Sequence, residues 1–170
     1  MERVGKNSCQ ASTVVTSIVA IECMDKPEES RNSHLSILFQ QYRETPFHTL
    51  LGLDIRILES GHSVLVLPLN HSHMNYRGIT HGGVLMTLCD SAMGMAVRSL
   101  GRSSVTLEMN INFLDMTQEG EELVAEGRII KKGRSILVCE AEVRKKDRLV
   151  AKARGTFYIL PEDQEAQKRE

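Results

Sequence analysis

Tryptophan is absent from this 170-residue chain, and aromatic residues make up only 4% of it. Stacking platforms for nucleobases are therefore not expected. Neither sign of charge is in excess. The formal net charge is −1, whereas a general nucleic-acid binder carries a basic surplus. No apolar run approaches the length of a membrane span, so no membrane partner is expected either. Cysteine is sparse: Cys9, Cys23, Cys89 and Cys139 are widely separated and form no C-x-x-C pair. Cys89 and Cys139 fall within apolar runs and read as reduced core residues, which fits a cytoplasmic location. Also missing are the G-x-S-x-G elbow of serine hydrolases, the P-loop and the dinucleotide fingerprint. What remains is a chain long enough for one domain with a real core.

Residues 1–32 show no sustained hydrophobic period, and Asp25–Ser30 is linker-like, so a flexible extension is expected there. Arg3 and Lys6 ahead of Val14–Ile21 faintly resemble a signal peptide. Thr16 and Ser17 break that run, however, and Glu22 stands where small cleavage-site residues belong. Met24 is an alternative start. The folded domain is expected over 33–160, with a frayed polar tail over 161–170. Ser33 can cap a helix carrying Leu35, Leu38, Phe39 and Tyr42 at helical spacing, and Thr45-Pro46 interrupts it. A further apolar turn, Phe47–Leu51, stops at Gly52. Leu53, Ile55 and Ile57 alternate with polar residues as a strand does, and Val64–Leu67 is a second strand ended by Pro68.

The stretch His81–Leu100 predicts one long helix, apolar around nearly its whole circumference and so buried on every side. Four strand-like segments follow: Ser104–Phe113, Glu122–Lys131, Ser135–Lys145 and Arg148–Leu160. Their short connections predict antiparallel neighbours throughout. An α+β domain follows, a curled antiparallel sheet wrapped around one central helix. Six strands do not close around a helix easily, so a homodimer or a larger homo-oligomer is expected to cover the rest.

The segment from Asn75 to Asp90 carries the chemistry. A polar loop ends in His81-Gly82-Gly83, an apolar helix begins there, and Asp90 sits two turns inside it. Burying a carboxylate without a partner costs several kcal/mol in practice, so its presence asks for a use. Glycines at a helix start leave backbone N–H groups bare, where the helix dipole favours developing negative charge. Each element also has a plainer use. Asp90 can bond a neighbouring turn, the glycines can serve a tight helix entry, His81 can cap the loop, and Asn75 can be a turn residue. Their joint spacing is the informative part.

Asn75, then His81-Gly82-Gly83, then Asp90 within Leu88-Cys89-Asp90-Ser91-Ala92, resembles the motif of the PaaI-like acyl-CoA thioesterases of the hotdog fold. The likeness in element order runs over about residues 45–160 and includes Val105–Phe113. The resemblance implies hydrolysis of acyl-CoA to a carboxylic acid and free CoA. No cofactor is implied, coenzyme A being part of the substrate. Asp90 matches the catalytic carboxylate, acting on water or directly on the thioester. Gly82 matches the glycine whose N–H polarises the carbonyl, and Asn75 the asparagine beside it. His81 takes a supporting role, and Thr106 falls near a hydroxyl that orients the water. Asp90 of one subunit is implied to face Asn75 and Gly82 of another. Thioester hydrolysis needs such a set: donors aimed at the oxyanion, and a base or nucleophile on the other side of the carbon.

Around this centre, Gly83 is expected to help bind substrate. Phe47, Leu51, Met86, Met93 and Met95 are expected to line an adaptable acyl pocket, or else to be ordinary core. Lys132 and Arg134 can clamp the phosphates of coenzyme A or can be a solvated edge turn; Arg77 and Arg102 are further candidates. His71 and His73 are spaced as two zinc ligands are, but no third ligand accompanies them, and no metal site is expected. Two rival functions remain: a hotdog dehydratase or hydratase on acyl thioesters, and a non-catalytic acyl-CoA-binding protein.

Overall fold

The computed structural model describes residues 29–161. The expectations for residues 1–28 and 162–170, including the alternative start at Met24, lie outside the described residues. Helix α1 spans Glu29–Arg43. Ser33 therefore lies inside the helix and not at its start. A second helix, α2, spans Pro46–Leu51 with Pro at its first turn, where a missing N–H costs nothing. It ends where expected: Gly52 takes the left-handed conformation, φ 71°, and its N–H caps the His48 and Thr49 carbonyls.

The strands are β1 (Asp54–Glu59), β2 (His62–Pro68), β3 (Ser104–Phe113), β4 (Glu122–Lys132), β5 (Ile136–Lys145) and β6 (Arg148–Ile159). They form one sheet in the order β1-β2-β4-β5-β6-β3, with every pair antiparallel. Short connections thus make neighbours of β4, β5 and β6, as expected, but not of β3 and β4. Residues 114–121 instead carry the chain from one edge of the sheet to its other half. This crossover is possible because its polar groups find partners on the way. Leu114 and Asp115 donate their N–H groups to the Val150 carbonyl, Thr80 N–H donates to the Thr117 carbonyl, and Gly120 N–H donates to the Leu69 carbonyl. The buried Thr117 hydroxyl donates to the Thr80 hydroxyl at 2.7 Å.

The long helix α3 spans Gly82–Arg98. The sheet curls around it, so that inward residues such as Leu65, Leu67, Leu123, Ala125, Leu137, Cys139, Ala141 and Phe157 surround Leu88, Cys89, Ala92, Met93 and Ala96. At one place the approach is backbone to backbone. A Cβ on Gly127 of β4 would lie 2.4 Å from the Ala92 carbonyl carbon and oxygen and 2.8 Å from the Met93 nitrogen. Only glycine fits there.

The helix is not buried on every side. Gly83, Asp90 and Gly94 are half-buried, and Met86 and Arg98 are exposed, which makes an open stripe at three- and four-residue spacing. Apart from Met86, small and polar residues occupy it. Beside the stripe runs β3, hydrogen-bonded to β6 alone and otherwise an open edge. Its Val105, Leu107 and Phe113 are exposed.

Candidate active site

Asp90 stands on the open stripe of α3, close to the start of β3. The Thr106 hydroxyl donates to its Oδ1 at 2.8 Å. A bulge between Thr106 and Glu108 interrupts the β3–β6 register here. His48, Asp90, Ser91, Gly94, Met95, Arg98, Ser104, Thr106 and Phe157 enclose a recess of about 200 Å³.

Asn75 and Gly82 lie elsewhere. Asn75 shares a separate recess with His71, Met74, Tyr76, Gly78 and Glu119. Its Oδ1 accepts from the Arg77 N–H at 2.8 Å, forming a turn within the loop. Its side-chain N–H₂ has no partner among the described residues, so a donor is what Asn75 can offer a ligand. At Gly82, the first residue of α3, the N–H likewise has no partner among the described residues. Its Cα faces the Phe113 ring, which an added Cβ would meet at 3.4 Å. Asp90 is thus at one end of β3 and Gly82 at the other.

Gly83 has a different part from the one expected. Its N–H donates to Nδ1 of His81 at 2.9 Å, so His81 is the N-cap of α3 and that N–H is engaged. A Cβ on Gly83 would press on the His81 ring at 3.0 Å. The paired glycines therefore divide the work: Gly83 makes room for the cap, and Gly82 keeps a free donor.

The expected acyl-pocket residues scatter. Met93 is fully buried, its Cε against the position of Gly155, and it fills the core. Met95 lines the Asp90 recess. Met86 and Phe47 are exposed on α3 and α2. Lys132 and Arg134 are exposed at the β4–β5 hairpin, which Gly133 closes by donating its N–H to the Ile136 carbonyl. The register links Lys132 to Leu137, Leu137 to Phe157 and Phe157 to Thr106. The hairpin therefore sits level with the Asp90 end of the sheet, three strand spacings or roughly 14 Å away. The two histidines of the zinc-like spacing go separate ways. His73 is buried, with Nδ1 accepting from Asn70 N–H and Nε2 facing the Leu51 carbonyl at 2.9 Å. His71 is exposed beside Glu119.

Sequence reasoning missed His48 and Tyr42 as neighbours of this recess. The Tyr42 and His48 rings stack with centroids 3.9 Å apart. His48 Nδ1 lies 3.3 Å from the Tyr42 carbonyl and Nε2 lies 3.5 Å from the Ser91 hydroxyl. Burial lowers the pKa of His48, partly offset by the Tyr42 carbonyl. Helical spacing of Tyr42 with Leu38 marked it as core, which it is, and only the fold of α2 back toward α3 sets His48 beside Ser91.

Residues 77–152 match the sequence profile of the thioesterase superfamily. The mouse protein acyl-coenzyme A thioesterase 13 is 30% identical over 97 residues, 55% of this chain and 69% of that protein. A hypothetical thioesterase of Streptococcus pneumoniae, solved with coenzyme A, is 34% identical with a TM-score of 0.61, over 63% of this chain and 87% of that one. It has also been solved with an aspartate, and separately a threonine, replaced by alanine. The phenylacetic acid degradation protein PaaI of Thermus thermophilus, solved with an asparagine replaced by aspartate, is 28% identical with a TM-score of 0.66. The match covers 68% of this chain and 100% of that one. The chain belongs to the thioesterase superfamily, in its PaaI-like, hotdog-fold branch. It is a thioester hydrolase.

Proposed function

We propose that this enzyme hydrolyses acyl-coenzyme A, with Asp90 as general base or nucleophile and with Gly82 and Asn75 of a second copy polarising the thioester carbonyl. The observation that carries this reading is the division of the site along one strand: a carboxylate held by Thr106 at one end of β3, and the unused N–H of Gly82 beside Phe113 at the other. Neither half can do the chemistry alone. A second copy paired antiparallel along this open edge, about a two-fold axis near Met109 and Asn110, brings Thr106 of one chain level with Phe113 of the other. Asp90 then faces the free donors across the interface. The exposed Val105, Leu107 and Phe113 and the open stripe of α3 are covered in the same step.

In the water-mediated form, Asp90 takes a proton from water and the hydroxide adds to the carbonyl carbon. The oxyanion is met by the Gly82 N–H and the Asn75 amide. Its collapse breaks the carbon–sulfur bond, and the thiolate leaves and takes up the proton. In the nucleophilic form, an Asp90 carboxylate oxygen adds to the carbonyl carbon, the carbon–sulfur bond breaks and the thiolate leaves, and water then hydrolyses the resulting anhydride to the acid and free Asp90. The streptococcal relative lends support: its two replaced residues, an aspartate and a threonine, are 16 positions apart, the separation of Asp90 and Thr106. Its coenzyme A complex supports the same substrate class. The level of Lys132 and Arg134 with the Asp90 end of the sheet supports a part for them in meeting phosphates at the far end of a long substrate.

The test is mixing. Asp90→Asn and Asn75→Ala should each release little thiol from acyl-CoA. Unfolded together and refolded at equal amounts, they form mixed dimers with one intact site each. Recovery of roughly a quarter of the wild-type rate is expected from random pairing. No recovery, with both variants folded and dimeric, would mean that the site lies within one chain.

A further inference from the structure

His73 is 1% exposed, yet it does more than fill space, because both ring nitrogens meet backbone groups. Nδ1 accepts from the Asn70 N–H at 3.1 Å, closing a capping box on the short 3-10 turn His71–His73. Nε2 faces the Leu51 carbonyl at 2.9 Å, at the end of α2 and 22 positions away in sequence. An N–H only donates and a carbonyl only accepts. The ring is therefore held neutral, with its hydrogen on Nε2. An apolar side chain of similar volume would leave the Asn70 N–H and the Leu51 carbonyl unpaired.

The backbone of the same residue carries the donor half of the site. The His73 carbonyl accepts from the His81 N–H at 2.8 Å, a bridge pairs Met74 with Thr80, and the Ile79 carbonyl accepts from the Asn75 N–H at 2.8 Å. Residues 73–81 thus form a short, closely bonded hairpin. Asn75 stands on its outgoing limb, and Gly82 lies just past its returning one. Thr80 fastens the returning limb to Thr117. The ring of His73 fastens the outgoing limb to Leu51, which leads directly into the buried Leu53 and Ile55 of the core.

We propose that His73 is a positioning residue for thioester hydrolysis: its Nε2–H bond to the end of α2 fixes the outgoing limb and so aims the Asn75 amide. The buried ring is out of reach of substrate and acts through Asn75 alone. The proposal rests on the assignment of Asn75 to the thioester carbonyl. A misplacement of about 1 Å in such a group is enough to cost on the order of a hundredfold in rate.

Thiol-release kinetics separate aiming from folding. His73→Phe should lower kcat on the order of tenfold to a hundredfold, with KM within about twofold of wild type. His73→Gln, whose amide N–H can still reach the Leu51 carbonyl, should recover most of that loss. His73→Asn keeps an acceptor for Asn70 but is too short to reach Leu51. It should match His73→Phe, and it takes that variant's place if the phenylalanine chain does not fold. Full kcat in His73→Asn would overturn the proposal.

Mixing locates the effect. In the mixed dimer the Asp90→Asn chain supplies Asn75 and the Asn75→Ala chain supplies Asp90 to the one intact site. His73→Asn added to the Asp90→Asn chain should cut the recovered rate about tenfold or more. Added to the Asn75→Ala chain it should change the rate by less than about twofold, since the group it aims is already gone. Equal losses in the two placements would mean a general structural role and would overturn the proposal. If the mixture without any His73 change fails to recover, the two-chain site falls, and His73→Asn within Asn75→Ala decides instead. Little further loss there supports the proposal, and a full further loss overturns it. If no acyl-CoA releases thiol, the thioesterase reading falls, and nuclear magnetic resonance of the Asn75 side-chain amide decides whether His73 sets its place. Its signals should shift in His73→Asn and return toward wild type in His73→Gln. Unmoved signals would overturn the proposal.

Discussion

The Thr106 hydroxyl donates to the Asp90 carboxylate at 2.8 Å, joining the edge strand to the open face of the helix. One carboxylate oxygen is thereby held, and the other is left for chemistry. Replacing Thr106 with alanine should lower kcat on the order of tenfold to a hundredfold by loosening Asp90. Thr106→Ser, which keeps the donor, should recover most of it. Asp90→Asn should cost more, on the order of a hundredfold to ten-thousandfold. Thiol-release kinetics on the four proteins check the order. Equal loss in the serine and alanine variants would remove the hydroxyl from the account.

His81 supplies the helix cap through Nδ1. His81→Ala should lower stability by about 1 kcal/mol, and His81→Asn, which can also accept from Gly83 N–H, should restore much of that. Urea melts of the three proteins make the comparison. If alanine and asparagine are equally destabilised, the ring matters for packing and not for the cap.

Gly127→Ala should fail for a different reason. Its methyl group would overlap the Ala92 backbone, which no rotamer change relieves. A loss of about 1–3 kcal/mol or more is expected. Gly94→Ala is the control on the same helix: its added carbon would meet only the Phe157 ring, at 3.9 Å. A melt in which both variants match wild type would contradict the close approach of β4 to α3.

Acid should weaken the fold through His48. Burial holds its pKa below the ordinary 6.5, so the neutral ring is the form the fold favours. As pH falls through about 6.5 the unfolded chain binds a proton that the folded chain does not, and stability declines from there until the folded ring titrates. The carboxylates held low by ion pairs, Asp54 by Arg43 and Glu142 by Lys152 and Arg144, contribute stability that is lost only in more acid solution. Denaturant midpoints between pH 7.5 and 5.5 should therefore fall less in His48→Phe than in wild type. Parallel profiles would assign the decline to other groups.

Cys89 and Cys139 should resist alkylation in the native protein. Both are fully buried, and burial pushes each thiol up to about 12, with the Asp90 charge adding to the effect at Cys89. Peptide mapping after brief iodoacetamide treatment should find both unmodified, and denaturant should expose them. Rapid native labelling of Cys89 would indicate that the Asp90 half of the helix opens.

Much of this architecture is legible in the residues themselves. Alternation in Ser104–Phe113 and the unbroken period of α3 define their elements locally, because each pattern is written in its own segment. The motif from Asn75 to Asp90 is legible for the same reason. What the sequence does not carry is pairing at a distance. The crossover of residues 114–121 depends on Thr80 meeting Thr117, 37 positions away. The stripe on α3 is visible only once Met86 is known to be exposed and Met93 buried, since both read as apolar. Gly82 and Gly83 look alike in sequence, and only the His81 ring tells them apart. The stack of Tyr42 on His48 depends on how α2 folds back.

The backbone contact between Gly127 and Ala92 sets the distance from helix to sheet without any side chain between them. Asp90 lies two residues from that fixed point. The other flank, with Met95, His48 and Phe47, is free of any such constraint among the described residues. Substitutions on that flank are therefore expected to leave the height of α3 over the sheet unchanged, and with it the position of Asp90.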